Sequence, residues 1–273
     1  MQGRGRFVLP EVRIRGVKLS YREWGKGRPV VLLHGFPLSS EIWAEVASKL
    51  QDSFRVIAPD LRGHGLSEAP QGPYSMDDLA EDVQAFAEAS GLERFVLGGH
   101  SMGGYVTFRV AARWSERLAG LILVATRAEP DTEEGRAGRF RAIERIQGEG
   151  KEAFLREFLR NLVSDHTRRT RPEVLAQLVE LARRTPDHVL VGCLRGMADR
   201  PDSRPLLQRL GLPALVLAGE QDAVISVESA KAMAEAIPGA QLVVVPGAGH
   251  VPSLEAPEAT AAALRRFLES LQG

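Results

Sequence analysis

The chain has 273 residues, enough to bury one large hydrophobic core, and its charges balance. Its 35 lysines and arginines equal its 35 aspartates and glutamates, so no overall field attracts nucleic acid or an anionic membrane. The single cysteine, Cys193, excludes an internal disulfide framework, and no cluster of cysteines and histidines has the spacing of a zinc site. We expect no metal and no cofactor.

The sequence contains information on the cellular location of the protein. Residues 1–16 lack the continuous apolar core of a signal peptide. No later run approaches the about 18 apolar residues that a membrane-spanning helix needs. We predict a soluble, cytoplasmic protein.

Eight short apolar runs are typical of β-strands. Two of them, joined at Gly16, come first, and the remaining six alternate with helical segments. That order is the signature of a mostly parallel sheet with helices on both faces. The sequence therefore predicts an α/β fold with an eight-stranded sheet, its strands at residues 11–15, 17–24, 29–33, 55–58, 95–97, 121–125, 213–218 and 241–245.

The alternation of strands and helices stops in the middle of the chain. Between residues 127 and 199 the pattern favours helices only, interrupted at glycines and prolines. Residues 151–163 and 172–184 place apolar side chains at helical spacing. We predict a single α/β core, residues 1–126 and 200–273, interrupted by an inserted helical cap, residues 127–199.

The segment FVLGGHSMGGY, residues 95–105, predicts a strand, a sharp turn and the start of a helix. Gly99 and Gly103 flank Ser101 in the pattern Gly-x-Ser-x-Gly, and a side chain at either glycine would collide with the neighbouring strand or helix. The helix N-terminus behind the serine favours developing negative charge. This context favours a nucleophilic serine over a glycine-rich connection without chemistry.

Two further strands end in loops with polar residues. The strand at residues 213–218 leads to Asp222, and the strand at residues 241–245 leads to His250. Functional residues of parallel sheets collect beyond the carboxyl ends of the strands. A serine hydroxyl needs a base to take its proton, and histidine suits that task when a carboxylate fixes its tautomer. Ser101, His250 and Asp222 are therefore the predicted catalytic residues.

Three other acids compete with Asp222: Glu220 in the same loop, and Glu129 and Asp131 after the strand at residues 121–125. We predict Asp222 because a short strand leads directly into its loop.

We interpret the remaining histidines as structural. We expect His34 and His100 to form hydrogen bonds beside the site and His64 to pack or bond within its loop, while His166 and His188 lie in the insertion.

These motifs resemble those of the α/β-hydrolase fold family over essentially the whole chain. Residues 99–103 match the family's nucleophile elbow, and residues 34–37 are similar to its oxyanion loop. Residues 60–67 are similar to its structural Asp-x-Arg-Gly-x-Gly-x-Ser segment, and residues 127–199 occupy the place of its helical cap. The resemblance implies an oxyanion hole formed by the backbone N–H groups of Phe36 and Met102.

The resemblance also implies a reaction class. Haloalkane dehalogenases and most epoxide hydrolases of this fold carry aspartate where this chain has Ser101, which leaves acyl chemistry. The elbow GHSMGG is similar to that of small-molecule esterases and enol-lactonases, and residues 192–199 are similar to 3-oxoadipate enol-lactonase-like proteins. We predict a serine hydrolase that cleaves carboxylic esters of small molecules through an acyl-enzyme. The alternatives are an enol-lactonase-like lactonase and a non-catalytic small-molecule-binding protein.

Overall fold

The computed structural model describes residues 9–271, with an eight-stranded sheet at the centre. The strands lie in the order β1-β2-β4-β3-β5-β6-β7-β8; β2 is antiparallel to β1 and β4, and all other neighbours are parallel. The predicted fold class is confirmed. The strands are β1 Glu11–Ile14, β2 Val17–Trp24, β3 Arg28–Leu33, β4 Phe54–Pro59, β5 Phe95–His100, β6 Leu118–Val124, β7 Ala214–Gly219 and β8 Gln241–Val245.

The first hairpin differs slightly from its prediction. The strand expected to include Arg15 ends at Ile14, and Arg15 and Gly16 together form the turn, with φ values of 45° and 79°. A two-residue turn with positive φ at both positions matches the right-handed twist of the flanking strands. Residues 1–8, part of the segment expected to carry no signal peptide, lie outside the described residues.

Helices cover the sheet on both faces. Every residue of β5 and β7 is buried, although successive side chains of a strand point to opposite faces, so both faces are covered. The helices are α1 Ala44–Ser48, α2 Met76–Ala89, α3 Met102–Trp114, α4 Glu133–Glu149, α5 Lys151–Arg160, α6 Asp165–Thr170, α7 Pro172–Arg183, α8 Asp187–Ala198, α9 Arg204–Leu207, α10 Val227–Ala236, α11 Pro252–Glu255 and α12 Pro257–Ser270. Short 3-10 turns at Ser40–Trp43 and Ser115–Arg117 complete the elements.

Helix α2 begins after a Ser75 N-cap. The Ser75 hydroxyl oxygen accepts a hydrogen bond from the Asp78 backbone N–H at 3.0 Å, and the Asp78 carboxylate bonds to the Ser75 hydroxyl. Such a cap satisfies an N–H group that the helix itself cannot pair. The start of α2, and with it the face that packs against α3, is therefore set locally.

Five helices, α4 to α8, fill residues 127–199, which contain no strand. We call these residues the cap. Helix α4 packs against α5 and α8, and α5 packs against α7, so the cap has its own internal contacts. The division into a core and an inserted cap stays a prediction. Among residues 9–271, none of the helices is long and apolar enough to cross a membrane. The cytoplasmic location also stays a prediction.

Candidate active site

Ser101 occupies the sharp turn between β5 and α3 in a strained conformation. Its φ of 52° and ψ of −114° lie outside the regions that L-residues normally adopt. Two hydrogen bonds hold this backbone in place: the Ser101 N–H donates to the Val124 carbonyl at 2.9 Å, and the Thr126 hydroxyl donates to the Ser101 carbonyl at 2.8 Å. Strain maintained in this way directs the half-buried Ser101 side chain out of the turn.

The glycines beside Ser101 are required by close backbone contacts. A Cβ atom on Gly99 would lie 2.2 Å from the Gly103 carbonyl oxygen, and one on Gly103 would lie 2.7 Å from the His34 carbonyl oxygen. Both obstacles are backbone atoms, which cannot rotate away. These distances agree with the steric reason given for the motif in the sequence.

Ser101, His250 and Asp222 form one continuous hydrogen-bonded chain. The Ser101 Oγ lies 2.9 Å from the His250 Nε2, and the His250 Nδ1 lies 2.8 Å from the Asp222 Oδ2. The side chain of His250 is 2% exposed and that of Asp222 is 0% exposed, whereas Ser101 is only half-buried. The serine is thus the member of the chain that a bound molecule can reach.

The Asp222 carboxylate is held in its ionised form. Its second oxygen accepts hydrogen bonds from the Val224 N–H at 2.7 Å and the Ile225 N–H at 2.9 Å. Burial by itself raises the pKa of this carboxyl group, but the attraction and hydrogen bond of His250, with the two backbone donors, outweigh burial and lower the pKa below its ordinary value. An ionised carboxylate at this place stabilises a positive charge on the imidazole.

The competing acids have other surroundings. Glu220 accepts the Gly247 N–H at 2.9 Å, and the buried Oε2 of Glu129 has no hydrogen-bond partner among the described residues. Asp131, with a side chain only 1% exposed, pairs with three arginines: Arg127, Arg139 and Arg200. In the described part of the chain, the carboxylate that contacts His250 is therefore that of Asp222.

One predicted oxyanion donor follows Ser101 in the sequence, and the other follows Gly35, on which an added Cβ would lie 3.0 Å from the Ser101 Cβ. Met102 is the first residue of α3, and Phe36 follows the end of β3. Within residues 9–271, neither backbone N–H has a protein acceptor. Unpaired N–H groups at a helix N-terminus attract negative charge. Both groups are therefore free to donate to a bound oxygen.

His34 fixes the peptide unit that carries one of these donors. Its Nε2 accepts the Leu61 N–H at 3.0 Å, so its Nδ1 must carry the proton and donate to the Gly35 carbonyl at 3.0 Å. The Leu38 N–H donates to the same carbonyl at 2.9 Å. The Gly35 carbonyl and the Phe36 N–H share one planar peptide unit, so these bonds also set the direction of the Phe36 N–H.

His100 holds the backbone of His250 through a hydrogen bond. Its Nε2 lies 2.7 Å from the His250 carbonyl oxygen and therefore donates to it. The hydrogen bonds expected for His34 and His100 are present, and His64 bonds through Nδ1 to the Arg62 carbonyl.

Burial is the main reason that the pKa falls to about 4 for His34, about 3 for His64 and about 3 for His100. The three imidazoles are neutral at neutral pH.

These buried imidazoles predict a loss of stability in mild acid. Below pH 6.5 the unfolded chain binds protons on the histidines that the folded protein does not bind until about pH 4 to 3, so stability falls as the pH falls. For His34, His64 and His100 together, the free energy of unfolding should fall by about 4 kcal/mol per pH unit near pH 5.5. Denaturant titrations at several pH values measure this slope.

Two variants test the origin of that slope. His64→Gln removes one buried imidazole and should reduce the slope by about a third. His166→Gln replaces a histidine that is exposed in α6 and is the comparison variant. A wild-type slope below about 1 kcal/mol per pH unit would contradict the argument, because it corresponds to less than one proton taken up on unfolding.

Aromatic side chains of the cap pack against the Phe36 loop. The Phe36 ring lies 5.7 Å from the Phe158 ring, nearly edge-on, and 6.4 Å from the Phe154 ring; the two cap rings stack at 5.3 Å. Phe154 and Phe158 also line a cleft of about 350 Å³ between α4 and α5, although Ser101 itself is outside its lining. Apolar side chains of α5 thus lie beside Phe36, one of the two predicted oxyanion donors.

Some contacts had no signal in the sequence. The Thr126 hydroxyl supports the Ser101 carbonyl, and the Leu162 carbonyl of the cap accepts the His250 N–H at 2.9 Å. Neither residue type marks such a role, because these contacts depend on segments that are far apart in the chain. Within residues 9–271, no group of three or more histidine, cysteine, aspartate or glutamate side chains is placed to hold a metal ion.

Comparison with known proteins identifies the family. The sequence model of the alpha/beta hydrolase fold family matches residues 28–257. The chain belongs to the α/β-hydrolase fold family. An esterase structure from Thermogutta terrifontis, solved with malate bound, is 40% identical with a TM-score of 0.93, covering 97% of this chain and 100% of that one.

Enol-lactonases are also similar to this α/β hydrolase. The structure of the enol-lactonase from Burkholderia xenovorans has a TM-score of 0.88 at 28% identity, covering 95% of this chain and 100% of that one. The 3-oxoadipate enol-lactonase 2 of Acinetobacter baylyi is 31% identical, covering 92% of this chain and 94% of the relative. The predicted resemblance to the esterase and lactonase branch of the family is confirmed.

Proposed function

We propose that this protein is a serine hydrolase that cleaves carboxylic esters of small molecules through an acyl-enzyme. The observation that carries the proposal is the chain from the half-buried Ser101 Oγ through His250 to Asp222, with contacts of 2.9 and 2.8 Å. That the chain is a hydrolase acting on ester bonds follows already from its similarity to esterases and enol-lactonases. The proposal adds to this that Ser101 is the nucleophile and that the reaction passes through an acyl-enzyme intermediate.

In the first half-reaction, the Ser101 Oγ attacks the carbonyl carbon of the ester while its proton moves to the His250 Nε2. The negative charge that develops on the carbonyl oxygen is stabilised by the N–H groups of Phe36 and Met102, which need no reorganisation. The ionised Asp222 stabilises the imidazolium. Collapse of the intermediate breaks the bond to the alcohol, which leaves with the proton from Nε2.

In the second half-reaction, water replaces the alcohol. His250 takes a proton from the water as its oxygen attacks the acyl carbon, and the same two N–H groups stabilise the second oxyanion. The intermediate then collapses, the bond to the Ser101 Oγ breaks, and His250 returns the proton to the serine. The products are the carboxylic acid and the free enzyme.

The surroundings of the site favour a small acyl compound. The rings of Phe36, Phe154 and Phe158 form an apolar wall next to an oxyanion donor. An apolar wall discriminates by only about 1–3 kcal/mol per methylene group, which suits a broad preference for short esters. A purely binding protein would not need a serine held at a φ of 52° against a buried histidine–aspartate pair.

A lactonase acting on a carboxylated substrate is the second candidate. Around Asp131, three arginines face one carboxylate, which leaves an excess of positive charge. The Arg200 guanidinium lies 4.2 Å from the centre of the Tyr105 ring, and the Tyr105 N–H donates to the Ser101 carbonyl. The cluster therefore approaches the first turn of α3, where a substrate carboxylate would find positive charge.

A comparison of substrates distinguishes the two candidates. We expect kcat/KM for p-nitrophenyl acetate and butyrate to exceed that for 3-oxoadipate enol-lactone, because the wall beside Phe36 is apolar. Steady-state kinetics on the purified protein measure both values. A lactone advantage of about 10³ or more corresponds to roughly 4 kcal/mol of transition-state binding and would favour the lactonase.

Arginine variants show whether the cluster around Asp131 is responsible for a lactone advantage in kcat/KM. If the protein is a lactonase, Arg139→Met should remove the lactone advantage, because it deletes one of the guanidinium groups in the cluster. Arg156→Met, which changes an exposed arginine of α5, is the matched control and should not alter the preference. A preference for esters that survives in both variants supports the carboxylesterase.

A further inference from the structure

Glu255 is a buried carboxylate that the proposed reaction does not use. It ends α11, the short helix that follows the His250 loop, and is 8% exposed. Its Oε1 accepts the Val251 N–H at 3.1 Å. Its Oε2 accepts the Ser164 N–H and the Thr167 hydroxyl, both at 2.8 Å. One carboxylate thus joins the residue after His250 to two residues of the cap.

A second set of contacts joins the same two segments. The His250 N–H donates to the Leu162 carbonyl at 2.9 Å, so the backbone of the histidine itself is bonded to the cap. A Cβ on Gly249 would lie 2.5 Å from the Ser164 nitrogen, which shows how closely the two backbones approach. Residues 249–251 and residues 162–167 therefore meet along a continuous interface.

We propose that Glu255 is a positioning residue that fixes the His250 loop to residues 162–167 of the cap and thereby aligns His250 with Ser101. This role rests on the proposed function, because it concerns the alignment of the proposed base with the proposed nucleophile. Asp222 and His100 hold His250 within the core, and Glu255, which also belongs to the core, ties the adjoining backbone to the cap.

The chemistry of the three donors explains why a carboxylate is required. Two of them are backbone N–H groups that cannot reverse their direction, on Val251 and on Ser164. An ionised carboxylate only accepts hydrogen bonds, whereas an amide must direct an N–H₂ group to one side. Glutamine at position 255 would therefore place a donor against a donor, either at the His250 loop or at the cap. A buried donor left without a partner is costly.

The proposal predicts a specific kinetic change for Glu255→Gln. Misplacement of a catalytic group by about 1 Å can reduce turnover about 10²-fold. We expect kcat for p-nitrophenyl butyrate to fall by about 10- to 100-fold. We expect KM to change little, because Glu255 bonds to the protein backbone and to Thr167 rather than lining the site. The rate at which a fluorophosphonate modifies Ser101 should fall by the same factor as kcat.

Glu220→Gln is the matched control. Glu220 also accepts a backbone N–H from the loop before His250, that of Gly247 at 2.9 Å, but it is exposed to water and has no bond to the cap. Its replacement should leave kcat within about twofold, because water can satisfy the donor that is released. Thr167→Val removes only one of the two cap donors and should give an intermediate loss of kcat. It takes the place of Glu255→Gln as the test variant if Glu255→Gln does not fold.

The experiment separates this inference from the proposed function. If the wild type is not modified at Ser101, both proposals are wrong. If the wild type is modified and Glu255→Gln, or Thr167→Val in its place, reacts at the wild-type rate, only the positioning role is wrong, even if the melting temperature falls. A reduced kcat with unchanged KM, accompanied by faster hydrogen exchange of residues 162–167, is the result that we expect.

Discussion

Ser101→Ala should abolish ester hydrolysis while leaving the fold intact. Loss of one central member of a serine triad reduces turnover by up to about 10⁶ in measured cases, since neither the other members nor the oxyanion hole can replace the nucleophile. The substitution removes only the hydroxyl, and alanine can adopt a positive φ in this fold, as Ala125 does at 46°. Steady-state hydrolysis of p-nitrophenyl butyrate and a thermal melt measure the two parts of this prediction.

Covalent labelling identifies the nucleophile directly. The wild type should gain the mass of a fluorophosphonate probe on the peptide that contains Ser101, and Ser101→Ala should not. Ser115→Ala is a matched control, because Ser115 is exposed and lies at the other end of α3. A label on another peptide, or more than a few per cent of the activity left in Ser101→Ala, would refute the proposed mechanism.

Asp222→Asn should reduce turnover by about 10⁴, the loss seen for the equivalent change in a serine protease. An amide of the same size preserves the packing of this fully buried side chain but no longer holds the proton on the His250 Nδ1. It also removes the negative charge that stabilises the imidazolium. The measurement is kcat at neutral pH, where the lowered pKa of Asp222 keeps the wild-type carboxylate ionised.

The neighbouring acids provide the comparison. Glu220→Gln changes a carboxylate two residues away that bonds only to the Gly247 N–H, and its turnover should stay near that of the wild type. Asp131→Asn should mainly lower stability, because Arg127, Arg139 and Arg200 would lose their shared carboxylate. If Asp131→Asn reduced turnover more than Asp222→Asn, the assignment of Asp222 as the orienting acid would be wrong.

The apolar runs of the sequence predicted the sheet because each strand is specified locally. The runs at residues 29–33 and 213–218 consist of residues that favour a strand buried on both faces, and they coincide with β3 and β7 to within one residue at each end. The start of α2 was predictable for a similar reason, since Ser75 and Asp78 form the cap within one turn. Signals of this kind need no knowledge of distant parts of the chain.

The sequence by itself determined the fold class, the position of Ser101 at a strand–helix turn, and the placement of Asp222 and His250 after later strands, because local patterns carry these properties. Only the tertiary structure decided which acid contacts His250, how His34 orients the Phe36 peptide, and that Glu255 joins the His250 loop to the cap. These contacts connect residues far apart in the chain. Their geometry depends on sheet order and helix packing, which no local pattern contains.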